Sequence, residues 1–348
     1  MLTIPAPRST SRCAGAADWV KVNDVRGNGS GLVTRGLAGA AGAGLMIGPA
    51  HAAGSAGRWL LPGTVLAGIV GVLLCRLRRV HTHGPGVQAP AARALELAGR
   101  GAAAGVLAGA ISDHLRLDLA GPAEFGGLSV LAVLTAAVLV APLAGLRPQR
   151  SRTPALVFTV VVFATLALFV VACLAIAPAE PPDLVGAPGP PEPTQPTGVL
   201  VAALIAGFGL LGADAAGGGR ATTVAVVVLV VGQLVIGAVL LYQLGPARLA
   251  LSSTPLRDAL AAADASALAG PVGLVAALAM AAVLYRLLAT TDRVGTLAVL
   301  LGGALSAMLL RPTVAMIAAV ILTLAASAVA GRGEWRDRRR TSDVTEPG

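Results

Sequence analysis

Two short stretches hold the residue types best able to bind a small polar molecule without a charged side chain. One is Gly42-Ala43-Gly44-Leu45-Met46-Ile47-Gly48-Pro49, the other Gly207-Phe208-Gly209-Leu210-Leu211-Gly212-Ala213-Asp214. Glycine permits unusual backbone angles and close approach, and proline removes a backbone donor. A helix broken at such a stretch leaves unpaired N–H groups at one half-helix end and free C=O groups at the other. The first end favours a carboxylate and the second an ammonium. That pairing suits a zwitterion such as an amino acid. The same glycines also serve close packing between membrane helices, and the chain has 44 of them.

Titratable groups near these stretches are few. His51 follows the first one and is a candidate proton switch; the alternative is a histidine at the outer mouth with no special role. Asp214 ends the second. Buried, it would be costly and therefore functional; at the interface it faces water beside Arg220. His81-x-His83 has no cysteine or carboxylate nearby, so it reads as part of a solvated loop. Cys13, Cys75 and Cys173 are scattered and odd in number, which implies neither a disulfide framework nor a zinc site. The chain has no H-E-x-x-H, no G-x-S-x-G and no P-loop. It is read as a non-enzyme with no cofactor and no metal.

The elements that must position these residues follow from composition. The 348 residues are 55% hydrophobic, 12% charged and 3% aromatic. A soluble domain has about 25% charged residues, so these values point to an all-α membrane protein rich in Ala, Val, Leu and Gly. Charge-free windows mark ten spans at residues 36–57, 59–75, 101–112, 125–146, 153–179, 198–213, 221–247, 265–285, 294–310 and 312–331. The third is short unless it is extended back to Ala92, where Glu96 and Arg100 at i,i+4 can pair on one face. Residues 1–30 lack the apolar core of a cleavable signal and read as a cytosolic tail.

With the N-terminus inside, ten spans place Arg58, Arg116, Arg248, Arg257 and Arg311 outside and the other 21 of the 26 basic residues inside. Nine of the 17 acids fall inside and eight outside. This asymmetry follows the positive-inside rule and requires the weak third span. It also accounts for the net charge of +9 without nucleic acid. The expected partners are the lipid bilayer and a small-molecule substrate, an amino acid or amine. The sequence leaves the oligomeric state open.

The spans divide into two halves of opposite topology: 31–179 and 198–331, joined by a proline-rich extracellular loop at 180–197 and followed by a cytosolic tail at 332–348. Inverted halves with broken helices at matching positions are a common transporter plan. The two glycine stretches occupy the first span of each half.

The stretch 42–49 resembles the Gly-Ser/Ala-Gly-Ile-Phe-x-x-Pro segment of the first helix in amino acid–polyamine–organocation permeases. Residues 208–214 resemble the Phe-x-Phe-x-Gly-Phe-Asp segment of their sixth helix. Ser253-Thr254-Pro255-Leu256 with Ala259-Leu260, and Val283-Leu284-Tyr285 with Asp292, are similar to later family segments and come in family order.

The resemblance implies a leucine-transporter-like 5+5 inverted repeat with broken first and sixth helices. It implies transport of amino acids or related amines by alternating access, across a plasma membrane with both termini cytosolic. It places the substrate carboxylate at Ala43, Gly44 and Leu45 and the amino group near Phe208, Gly209 and Leu210, with Gly42 and Gly212 also among the substrate-binding residues. His51 and Asp214 are the candidates for proton coupling. Sodium coupling is not implied, because residues 272–282 lack the hydroxyls that sodium-coupled members carry on helix eight. The lysine that some proton-coupled members carry on helix five is absent from residues 157–176. Leu210 and Ala213 stand where the family has gating aromatics. The alternative is therefore a non-transporting relative acting as a membrane scaffold or sensor.

Overall fold

A computed structural model describes residues 37, 44–81, 90–115, 152–176, 196–211, 220–289 and 291–344. Every regular element among them is a helix. In chain order these are α1 (Gly48–Ala56), a 3-10 turn (Gly57–Trp59), α2 (Leu60–His81), α3 (Pro90–Leu115), α4 (Arg152–Ala175), α5 (Pro196–Phe208), α6 (Arg220–Leu251), α7 (Pro255–Ala262), α8 (Ser266–Ala289), α9 (Arg293–Leu309) and α10 (Pro312–Val344).

Proline opens α3, α5, α7 and α10 and sits in the first turn of α1. Its fixed φ suits a helix start, and its missing N–H would be unpaired there in any case. Asp292 caps α9, its carboxylate accepting from the Gly295 N–H at 3.2 Å. Two glycines adopt backbone angles that other residues avoid. Gly57, at φ 54°, ends α1, and Gly245, at φ 68° and ψ 166°, kinks α6 ahead of Pro246.

Six stretches are long and apolar enough to cross a membrane: Gly48–Leu74, Pro90–Leu115, Leu156–Ala175, Arg220–Leu251, Ser266–Leu288 and Pro312–Ala330. Thr197–Phe208 and Val294–Leu309 are apolar but shorter. The chain is thus an all-α, multi-pass membrane protein. The fourth span expected from the sequence, 125–146, lies outside the described residues, as does most of 36–43. Several boundaries differ from expectation: the spans expected at 36–57 and 59–75 share one apolar stretch, Gly48–Leu74, and the span expected at 198–213 stops at Phe208. A short helix, α7, fills part of the loop before α8. The arginine-rich segment from 332 to 344 continues α10 instead of leaving it, which makes α10 33 residues long, or roughly 50 Å at 1.5 Å per residue.

The helices pack in two groups. In one, α1 and α2 lie against α5 and α6. In the other, α3 is surrounded by α8, α9 and α10, and α10 also touches α5. The second group explains the weak third span. α3 has the lowest mean hydropathy of the six stretches, yet 61% of its apolar window is buried, against 22% for Leu156–Ala175. α3 faces protein, so it needs small residues for close packing more than it needs greasy ones. A methyl added to Gly101 would lie 3.1 Å from the Gly302 Cα, and one added to Gly105 would lie 2.5 Å from the Gly303 carbonyl oxygen. The Glu96–Arg100 pair forms at 2.6 Å, as its spacing predicts.

α4 shows the opposite case. It buries Val162, Leu166, Phe169 and Cys173, a stripe at helical spacing, and exposes Leu156, Val160, Leu168, Val171 and Leu174. Both faces are apolar because one packs on protein and the other meets lipid. Cys173 is a free, buried thiol within the stripe.

Candidate functional site

Within their described parts, the first glycine stretch interrupts a helix and the second ends one. Residues 44–46 are helical, the chain turns at Ile47, and α1 starts afresh at Gly48. α5 stops at Phe208, where tight i→i+3 bonds from Gly209, Leu210 and Leu211 to the carbonyls of Ala206, Gly207 and Phe208 close its last turn. The two interruptions meet. A methyl built on Gly44 would lie 2.5 Å from the Gly209 Cα, and one built on Gly209 would lie 2.3 Å from the Gly44 Cα. No residue larger than glycine fits either side of this contact without moving a backbone.

α6 supplies the third wall. Gln233 is 4% exposed and lies against both glycines. Its Nε2 donates to the Ala206 carbonyl at 3.2 Å, while its Oε1 has no partner. The neighbouring Gly232 leaves room for the side chain of Leu45, which is fully buried. On α2, the buried Thr64 hydroxyl donates to the Leu60 carbonyl at 2.9 Å. Between these groups is a cavity of about 10 Å³ lined by Gly44, Gly48, Ala206, Thr64 and Gln233. That is room for about one water-sized species. Its polar side chains are Thr64 and Gln233, and no charged side chain lines it.

Of the residues expected here, Gly44, Leu45, Phe208 and Gly209 come together at this contact, and Phe208 is 2% exposed within the core. Leu210 turns toward a second, larger cavity of about 460 Å³ between α2, α5, α6 and α10. Its lining is apolar apart from Thr323 and includes Leu66, Val70, Leu204 and Val226. Gly42, Ala43, Gly212 and Asp214 lie outside the described residues. His51 lies on α1, away from the glycine contact. It is half-buried, and its Nδ1 is 3.2 Å from the Thr313 Oγ1, which joins α1 to the start of α10. Among the described residues no group of three His, Cys, Asp or Glu could hold a metal.

Gln233 and Thr64 escaped the sequence reading. The available signal was a polar side chain in the middle of a charge-free span, where it is costly unless satisfied. Compared with protein-family models and with curated proteins, the chain matches none.

Proposed function

We propose that the chain is a secondary-transporter-like permease for amino acids or related amines, working by alternating access in the plasma membrane. The observation that carries this reading is the direct contact of Gly44 with Gly209. It joins two interrupted helices, each the first of its half, in the interior of the protein. The packing groups support the 5+5 inverted repeat. The first two helices of one half lie on the first two of the other, and the third helix lies on the last three of the second half. Inverted repeats pair equivalent elements in this way and keep the binding site at their interface.

In this reading the substrate carboxylate meets the backbone N–H groups around Ala43, Gly44 and Leu45. The amino group meets the carbonyls near Phe208, Gly209 and Leu210. His51 and Asp214 are the candidates for proton coupling. Small-molecule pockets usually measure roughly 300 Å³ or more, and the present central space is about 10 Å³. Substrate therefore enters only when the two interruptions part.

The test is exchange of labelled amino acids by the full chain in proteoliposomes, with Gly44→Leu as the control that blocks the contact. Exchange that is lost in Gly44→Leu supports the proposal. A broad panel giving neither exchange nor thermal stabilisation overturns it. The closed centre favours one second reading, a non-transporting relative that acts as a membrane scaffold or sensor. That reading requires the glycine contact to stay shut whatever ligand is present.

A further inference from the structure

We propose that Gln233 is a specificity-determining residue that reads a primary ammonium group in the small cavity between the two interrupted helices. The proposal rests on the transporter reading of that site and adds the group that selects the substrate.

Three observations combine. First, Gln233 is 4% exposed and its Oε1 has no hydrogen-bond partner. A buried acceptor left unpaired is unfavourable, and in native proteins it calls for an explanation. Second, Gln233 is held in place by its own amide. Nε2 donates to the Ala206 carbonyl at 3.2 Å, and that carbonyl also accepts from the Gly209 N–H at 3.1 Å. The helix end is therefore satisfied without Gln233, so an interaction of the side chain with the helix end does not account for a glutamine here. Third, the cavity that Gln233 lines has room for about one water-sized species, and its other polar side chain is Thr64. The Thr64 hydroxyl spends its proton on the Leu60 carbonyl at 2.9 Å and presents only lone pairs. Pro49, also in the lining, has no N–H.

The unpaired Gln233 acceptor selects a donor. A primary ammonium carries three donors and no acceptor, and its nitrogen is about the size of a water oxygen. A carboxylate brings only acceptors and would leave Gln233 unpaired. The site therefore takes amines and amino acids and rejects the corresponding acids that lack nitrogen. The substrate's remaining atoms occupy the space opened as Gly44 and Gly209 part.

The experiment measures thermal stability of the full chain in nanodiscs with methylammonium, glycine, acetate, sodium and potassium added separately. Wild type is expected to be stabilised by methylammonium and glycine, and not by acetate. Gln233→Leu removes the unpaired acceptor, so its own melting temperature stays level or rises while its response to methylammonium disappears. Gln233→Glu keeps an acceptor and adds charge, and should lower the half-saturating methylammonium concentration by about tenfold or more.

An unchanged methylammonium response in Gln233→Leu overturns the proposal, as does stabilisation by sodium or potassium in place of the amines, or by none of the five. The two readings fail separately. Amino-acid exchange that persists in Gln233→Leu leaves transport standing and removes this inference. A Gln233-dependent methylammonium shift without any exchange does the reverse.

Discussion

Gly44 and Gly48 lie four residues apart in one glycine-rich stretch, yet their substitution by alanine should have opposite effects. Carbon atoms rest about 3.5–4.0 Å apart. A methyl on Gly44 would lie 2.5 Å from the Gly209 Cα, so the two interrupted helices must separate by about 1 Å to admit it. Overpacking of this kind costs about 1–3 kcal/mol. The intrinsic gain from replacing glycine in helical backbone is about 0.5–1 kcal/mol, which leaves Gly44→Ala destabilised by about 0.5–2 kcal/mol. At Gly48 the added methyl meets nothing within 4 Å, so only the gain remains. Gly48→Ala should be more stable than wild type by about 0.5–1 kcal/mol. Gly209→Ala strains the same contact as Gly44→Ala, so the double variant should lose less than the sum of the two. Equilibrium unfolding in mixed micelles reads all four proteins. A Gly44→Ala variant as stable as wild type, or a Gly48→Ala variant as damaged as Gly44→Ala, refutes the contact.

Three further outcomes follow from packing and charge. Gly105→Ala drives a methyl to 2.5 Å from the Gly303 carbonyl oxygen and should lose about 1–3 kcal/mol in the same unfolding assay. Gly245→Ala meets no atom within 4 Å, but φ 68° and ψ 166° belong to a region used essentially by glycine alone. It should be destabilised by about 1–3 kcal/mol despite the open space. The Arg93 guanidinium, 2.8 Å from Asp292, holds the Asp292 carboxyl below the ordinary carboxylate range. A lowered folded pKa gives stability that is complete above the unfolded pKa and fades as pH falls through the folded value, below about pH 4. Asp292→Asn keeps the cap of α9 and should flatten that acid limb of a melting-temperature profile.

The sequence makes the apolar stretches legible because lipid imposes a length and a charge rule on each of them. It also makes the turn at Ile47 and the end of α5 at Phe208 legible, since glycine and proline mark places where regular backbone bonding stops. Depth is harder to read. α3 is weak in hydropathy because Gly101 and Gly105 pack on Gly302 and Gly303, and protein-facing helices need small residues. α4 is apolar all round, so its buried stripe of Val162, Leu166, Phe169 and Cys173 leaves no trace in the hydropathy pattern. Gln233 stayed hidden for a related reason. One polar residue barely changes the hydropathy of a 32-residue helix, and its importance comes from lying opposite Gly44 and Gly209, which only tertiary packing creates. The continuation of α10 through its arginine-rich end was also unreadable, because a charged segment can stay helical once it has left the bilayer.

The central claim is that the contact between the two interrupted helices opens to either side in turn. Thr64, 2% exposed at the small cavity, is the position to probe. Thr64→Cys, with Cys13, Cys75 and Cys173 replaced by alanine, is treated in sealed vesicles of known orientation with a membrane-impermeant thiol reagent. The reagent is applied from each side, with and without glycine or methylammonium. Alternating access predicts labelling from both sides, with the balance between them shifted by the amine. A cysteine that stays unreactive from both sides under every condition contradicts it.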